Sequence, residues 1–172
     1  MSSYGSIWVK PSNPNLDQAF IQDEYEMDSS TLAKDAFICL VSDCRDDRQN
    51  DYLEELSHTF GTAILLVVQT TVDLFSYGHW QQGQPIRELS YTADSGWYLV
   101  EGTPEAWEAE LFSEPALEQT LANLESRDEE LKGALQQYWH HKQLIAGQLH
   151  PRIFADELYM RLSQHFNLPN PA

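Results

Sequence analysis

From Ala63 to Phe112 the chain reads AILLVVQTTVDLFSYGHWQQGQPIRELSYTADSGWYLVEGTPEAWEAELF, a series of short apolar runs punctuated by turn residues. Ala63–Gln69 is dense in Leu, Ile and Val, as a buried strand is. Thr70–Trp80 stays extended, because its Thr, Val, Phe, Tyr and Trp favour β structure. Joined end to end, the two runs make one unusually long strand, so a bulge or bend is expected near Thr70–Asp73. Gln81-Gln82-Gly83-Gln84 is a hairpin turn, with Gly83 free to take positive φ. Pro85–Thr92 returns, Ala93-Asp94-Ser95-Gly96 turns again, and Trp97–Glu101 closes the meander. Gly102-Thr103-Pro104 leaves the sheet, with Thr103 as the expected cap of a short helix and Pro104 at its first position.

Ser6–Lys10 reads as a short edge strand stopped by Pro11 and Pro14. Residues 11–34 are polar and loop-like, with a helical turn at Leu16–Gln22. Asp35–Ser42 is a strand candidate. A helix follows, capped by Ser42 or Asp43, with Asp46 and Asp47 in its first turn. Its buried face is Leu53, Leu56 and Phe60, and Gly61 supplies its stop. Beyond Ser113, Leu117, Leu124, Leu131 and Tyr138 recur every seven residues. That pattern fits one helix over Pro115–Ile145, or two meeting at the Ser126–Glu129 capping box, with Gly147 as the end. The stripe either packs on the chain's own sheet or pairs with a second chain. A last helix is expected over Pro151–Phe166, with Phe154, Leu158, Leu162 and Phe166 on one side. The fold class is therefore α+β: an antiparallel meander of about four to six strands packed by C-terminal helices. One domain spans residues 1–172, sheet-rich over 1–102 and helical over 104–166.

Composition adds charge to this picture. The 172 residues include 27 acidic against 10 basic side chains, a net charge of −17. No basic run exists to meet a phosphate backbone or an anionic membrane, so neither nucleic acid nor membrane is an expected partner. A basic protein partner suits the charge, and the heptad stripe allows self-association. Cys39 and Cys44 do not make a disulfide scaffold, and C-x4-C without further ligands is not a zinc signature. The N-terminus lacks a signal-peptide pattern and no run approaches a membrane span. A cytoplasmic location is the expectation, with no cofactor and no metal.

The candidate chemistry is sparse. His140 and His141 are adjacent on a helix and point about 100° apart, which does not suit a shared metal. SDCRDDRQND (Ser42–Asp51) is rich in carboxylates, but Arg48 stands where a calcium loop needs glycine. No nucleophile elbow, phosphate loop or dinucleotide fingerprint occurs. Glu88, Glu101, Glu105 and Glu108 all lie near the sheet exit, and nothing in the pattern singles one out. In SYGHWQQG, Tyr77 and His79 alternate onto one sheet face while Gly78 and Trp80 take the other. With Arg87 and Tyr91 they form the candidate binding set: Tyr77, His79, Trp80, Arg87 and Tyr91.

Three functions follow from these observations. The leading one is a non-enzymatic, protein-binding or regulatory module using the SYGHWQQG hairpin or the heptad helix. The second is an enzyme or small-ligand binder with a sheet-face pocket around Tyr77, His79, Arg87 and Tyr91; a flat, filled face argues against it. The third is an acidic inhibitor that mimics nucleic acid, which requires carboxylates grouped on one face.

Overall fold

The computed structural model describes residues 3–13, 16, 36–41, 49–123, 129–147 and 154–169. Six strands form one antiparallel sheet: β1 (Ser3–Pro11), β2 (Ile38–Val41), β3 (Gly61–Gln69), β4 (Leu74–Gln81), β5 (Gln84–Thr92) and β6 (Gly96–Gly102). Their order across the sheet is β2-β1-β3-β4-β5-β6. β3 to β6 are the meander that the sequence predicts. Helix α1 (Gln49–Phe60) covers one face. A 3₁₀ helix (Ala106–Phe112) and helices α2 (Glu114–Asn123), α3 (Glu129–His141) and α4 (Ala155–Phe166) build the C-terminal layer. The fold is thus α+β.

Each face has its own core. Ile7, Val9, Ala63, Leu65 and Trp80 meet Leu53, Leu56 and Phe60 of α1. Trp8, Ile64, Leu66, Tyr77 and Leu89 face the C-terminal layer, where Trp107, Tyr138, Leu158 and Leu162 close over them. β3 lies between the two and is buried on both sides, which explains its continuous apolar run. Gly61 ends α1 at φ 107°, as the sequence indicates.

Four local differences from the sequence-based expectation have physical reasons. Thr70–Asp73 is a chain reversal rather than a bend in one long strand, since Gln69 pairs with Leu74 and the ladder runs back from there. The turn is made without glycine or proline, through Asp73 at φ 45°, a conformation that Asp tolerates. The short helix after the sheet is capped by Glu105 rather than Thr103: the Glu105 and Glu108 side chains and backbones form a reciprocal capping box. α3 stops at His141, before Gly147, because Lys142 turns left-handed at φ 50°. α4 starts at Ala155, so Phe154 sits just ahead of it as the N-cap residue, off the buried face made by Ala155, Leu158 and Leu162.

The heptad stripe is resolved by one hydrogen bond. Trp139 Nε1 donates to the Ser113 carbonyl at 3.1 Å. In one straight helix these residues would stand about 39 Å apart at 1.5 Å per residue. α2 and α3 therefore fold back on each other, and Phe112 packs edge-on against Tyr138 and Trp139 at 5.4 Å from each. Ser126 of the capping box, Cys44, the Ser42/Asp43 cap, Asp46 and Asp47, and nearly all of the Leu16–Gln22 turn lie outside the described residues. Among the described residues no helix is long and apolar enough to cross a membrane.

Candidate functional site

The site is built where β4 and β5 meet the chain leaving β6. Alternation along β4 places Tyr77 and His79 on the C-terminal face, and pairing sets them opposite Leu89 and Arg87 of β5. A bulge between His79 and Trp80 leaves Ile86 without a partner on β4. The Ile86 carbonyl accepts from Thr103 N–H at 2.9 Å. Gly102 makes this approach at φ 85°, and a Cβ there would stand 2.2 Å from the Ile86 oxygen. The turn at Gly102 sends the chain back over the sheet face and carries Glu105 and Glu108 onto it.

Glu108 is 1% exposed and Arg87 2%, so this ion pair is removed from water. Arg87 Nε donates to Glu108 Oε1 at 2.9 Å and Nη2 donates to Oε2 at 2.6 Å, a bidentate pair. Arg87 Nη1 reaches the carbonyls of Glu101 and Gly102 at 3.2 and 3.1 Å. Glu108 Oε1 also accepts from Glu105 N–H at 2.8 Å. The guanidinium thus ties the last turn of β6 to the 3₁₀ helix.

Glu105 completes the cluster. Its Oε2 accepts from the Tyr77 hydroxyl and, at 3.1 Å, from Trp107 Nε1. Its Oε1 lies 2.5 Å from His79 Nδ1. Burial pushes the Glu105 carboxyl up, but the hydrogen bonds from His79, Tyr77 and Trp107 and the charge of His79 outweigh it, and the net shift is downward. An ionised carboxylate can only accept, so the proton of that contact belongs on Nδ1. The Tyr77 hydroxyl is held well above its usual range by burial first and by Glu105 next.

These groups are packed in rather than set around an opening. Trp107 stands edge-on to Tyr77 at 5.7 Å. Phe166, at the end of α4, lies 5.6 Å from the His79 ring and 6.3 Å from Tyr77. His79 and Glu105 keep only 15% and 14% of their side-chain surface exposed. Chemically the cluster is a clasp: it satisfies a buried guanidinium, the buried Glu108 carboxylate and the half-buried Glu105 carboxylate while pinning the 3₁₀ helix to the sheet.

Of the five residues expected to form a binding set, three come together here: Tyr77, His79 and Arg87. Tyr91 shares their face but pairs with Phe75 and packs on Trp97 at 5.2 Å, away from the polar groups. Trp80 is on the opposite face, buried against α1. Glu105, Trp107, Glu108 and Phe166 complete the cluster without having been singled out by the sequence. His140 and His141 are both exposed at the end of α3, and among the described residues no group of three metal-ligating side chains occurs.

A second feature lies on the outer flank of the 3₁₀ helix. Glu110, Phe154, Asp156, Glu157, Met160 and Arg161 line a shallow depression. Phe154 and Met160 expose 52% and 58% of their surface. Arg161 is engaged by Glu157 at 2.8 Å and approaches Glu110 at 4.0 Å.

Residues 36–129 match a family of unknown function, DUF6928. The chain belongs to this family. The DUF6928 segment runs from β2 into the start of α3 and holds the whole Tyr77–His79–Arg87–Glu105–Glu108 clasp; Phe154 and α4 lie beyond it. No curated protein and no solved structure matches the chain.

Proposed function

We propose that this DUF6928 protein is a non-enzymatic, cytoplasmic binding module that docks a partner protein on the outer face of α4 and the adjoining 3₁₀ helix. One observation carries the reading: Phe154 and Met160, each more than half exposed, share a depression bordered by charged side chains. Exposed apolar groups beside a polar rim are the composition of a protein-docking patch. The hairpin aromatics do not serve this purpose, since Tyr77 and Trp80 are 2% and 7% exposed. A sheet-face pocket has little room, because Phe166, Trp107, Glu105 and Glu108 fill the space over Tyr77 and Arg87. Nucleic-acid mimicry is disfavoured by the placement of acids on both sides of the sheet: Asp51, Glu54 and Glu55 on α1, and Glu110, Asp156 and Glu157 on the other layer. In this reading the clasp keeps the 3₁₀ helix, and with it Glu110, rigidly placed beside α4.

The test compares the proteins that co-purify with the wild type, Phe154→Ser and Met160→Ser from the source cell. A partner present in near-equal amount with the wild type and lost from both folded variants supports the reading. A partner retained by both variants, or none with the wild type, overturns it.

A further inference from the structure

We infer that the occupant of this depression is a cationic, amphipathic helical segment of another protein, an inference that rests on the docking reading above. The face offers an apolar centre, Phe154 and Met160, and three carboxylates, Glu110, Asp156 and Glu157, against one guanidinium, Arg161, with Gln164 and the imidazole of His165 completing the lining. Arg161 is already taken up by Glu157, so the face keeps negative charge to offer. A segment with an apolar anchor and Lys or Arg one turn to either side matches that distribution, since helical residues three and four apart share a face. A second copy of this chain is a poor occupant, because each copy carries a net charge of −17 and the two would repel. An acidic segment would find the apolar centre but no partner for its charge, and a neutral one would leave the carboxylates unpaired.

The probe is a fluorescein-labelled Leu/Lys amphipathic peptide of about 18 residues, long enough to hold a helix. Its Leu/Glu counterpart is run beside it, both read by anisotropy against the full chain at low and high salt. The Leu/Lys peptide should bind, and bind less at high salt. Phe154→Ser and Met160→Ser should each weaken it about tenfold, the loss expected when an interface anchor is truncated. The double variant Glu110→Gln/Asp156→Asn should weaken it and flatten its salt dependence, while Glu54→Gln/Glu55→Gln on α1 should not. Circular dichroism checks that every variant is folded. Equal weakening by the α1 variant would show general attraction to an acidic protein and overturn the inference. A Leu/Glu peptide that binds as tightly and is lost with Phe154→Ser would overturn the cationic occupant and leave the docking face standing. If neither peptide responds to Phe154→Ser and Met160→Ser, both readings fall.

Discussion

Replacing Glu108 by glutamine removes one negative charge from a pair that is almost wholly out of water. Arg87 stays protonated and stays buried, now facing a neutral amide that presents a donor where one carboxylate oxygen accepted. Breaking a buried pair from one side typically costs about 3–5 kcal/mol, because the remaining charge is uncompensated. For a chain of this size that lowers Tm by about 6–20 °C. Arg87→Met leaves Glu108 in the same position and should cost a similar amount. The double variant Arg87→Met/Glu108→Leu removes both charges. It loses only the Arg87 bonds to the Glu101 and Gly102 carbonyls and the Glu108 bond to Glu105 N–H. At about 1 kcal/mol for each such bond, its deficit is about 3 kcal/mol, well short of the sum of the singles. Urea denaturation followed by the fluorescence of the five tryptophans reads all four proteins, with an unchanged slope certifying the two-state comparison. A Glu108→Gln midpoint indistinguishable from wild type, or a double variant as unstable as the two singles summed, would refute the claim that this pair is buried and mutually compensated.

Three further outcomes are expected. Glu105 is depressed below its ordinary value of 4.5 in the folded chain, so its contribution to stability is present above that value and is lost as pH falls through the folded one; Glu105→Gln should flatten the acid limb of urea midpoints against pH, and an unchanged limb would contradict the network. Gly102→Ala should destabilise by at least about 2 kcal/mol, since both the positive φ and the Ile86 carbonyl resist a side chain, and a neutral effect on the urea midpoint would show the sheet exit is built differently. At the hairpin tip, Gly83 has φ 77° and a Cβ there would meet the His58 ring; Gly83→Ala should be partly rescued by His58→Ala, leaving about 1 kcal/mol of backbone penalty, and equal stability of the single and double variants would rule out the contact.

Much of this architecture is legible in the sequence, for reasons that also explain what is not. β3 reads as buried on both faces because it is apolar at every second and every adjacent position. Period-two alternation alone assigns Tyr77 and His79 to one face and Trp80 to the other. The reversal at Thr70–Asp73 is hidden because Thr, Thr and Val are strand formers, and the turn depends on one aspartate in the left-handed region. Glu105 and Glu108 are hidden for a different reason. Four carboxylates near the sheet exit look alike as letters, and only the Gly102 turn decides that two of them return to the sheet face while Glu101 stays exposed on the edge strand. Phe154 keeps the spacing of a buried stripe, yet the helix begins one residue later and leaves it outside. Both the clasp and the exposed Phe154–Met160 depression therefore depend on tertiary placement that local periodicity does not encode.

The most direct test of the docking face is site-specific photocrosslinking in the source cell, with a benzophenone amino acid placed at Met160 and, as a reference, at Glu54 on the opposite side of the sheet. The docking account expects a discrete crosslinked partner from position 160 that is missing from position 54, with the crosslinked peptide rich in Lys or Arg around an apolar residue. The same products from both positions, or none from position 160, would contradict it.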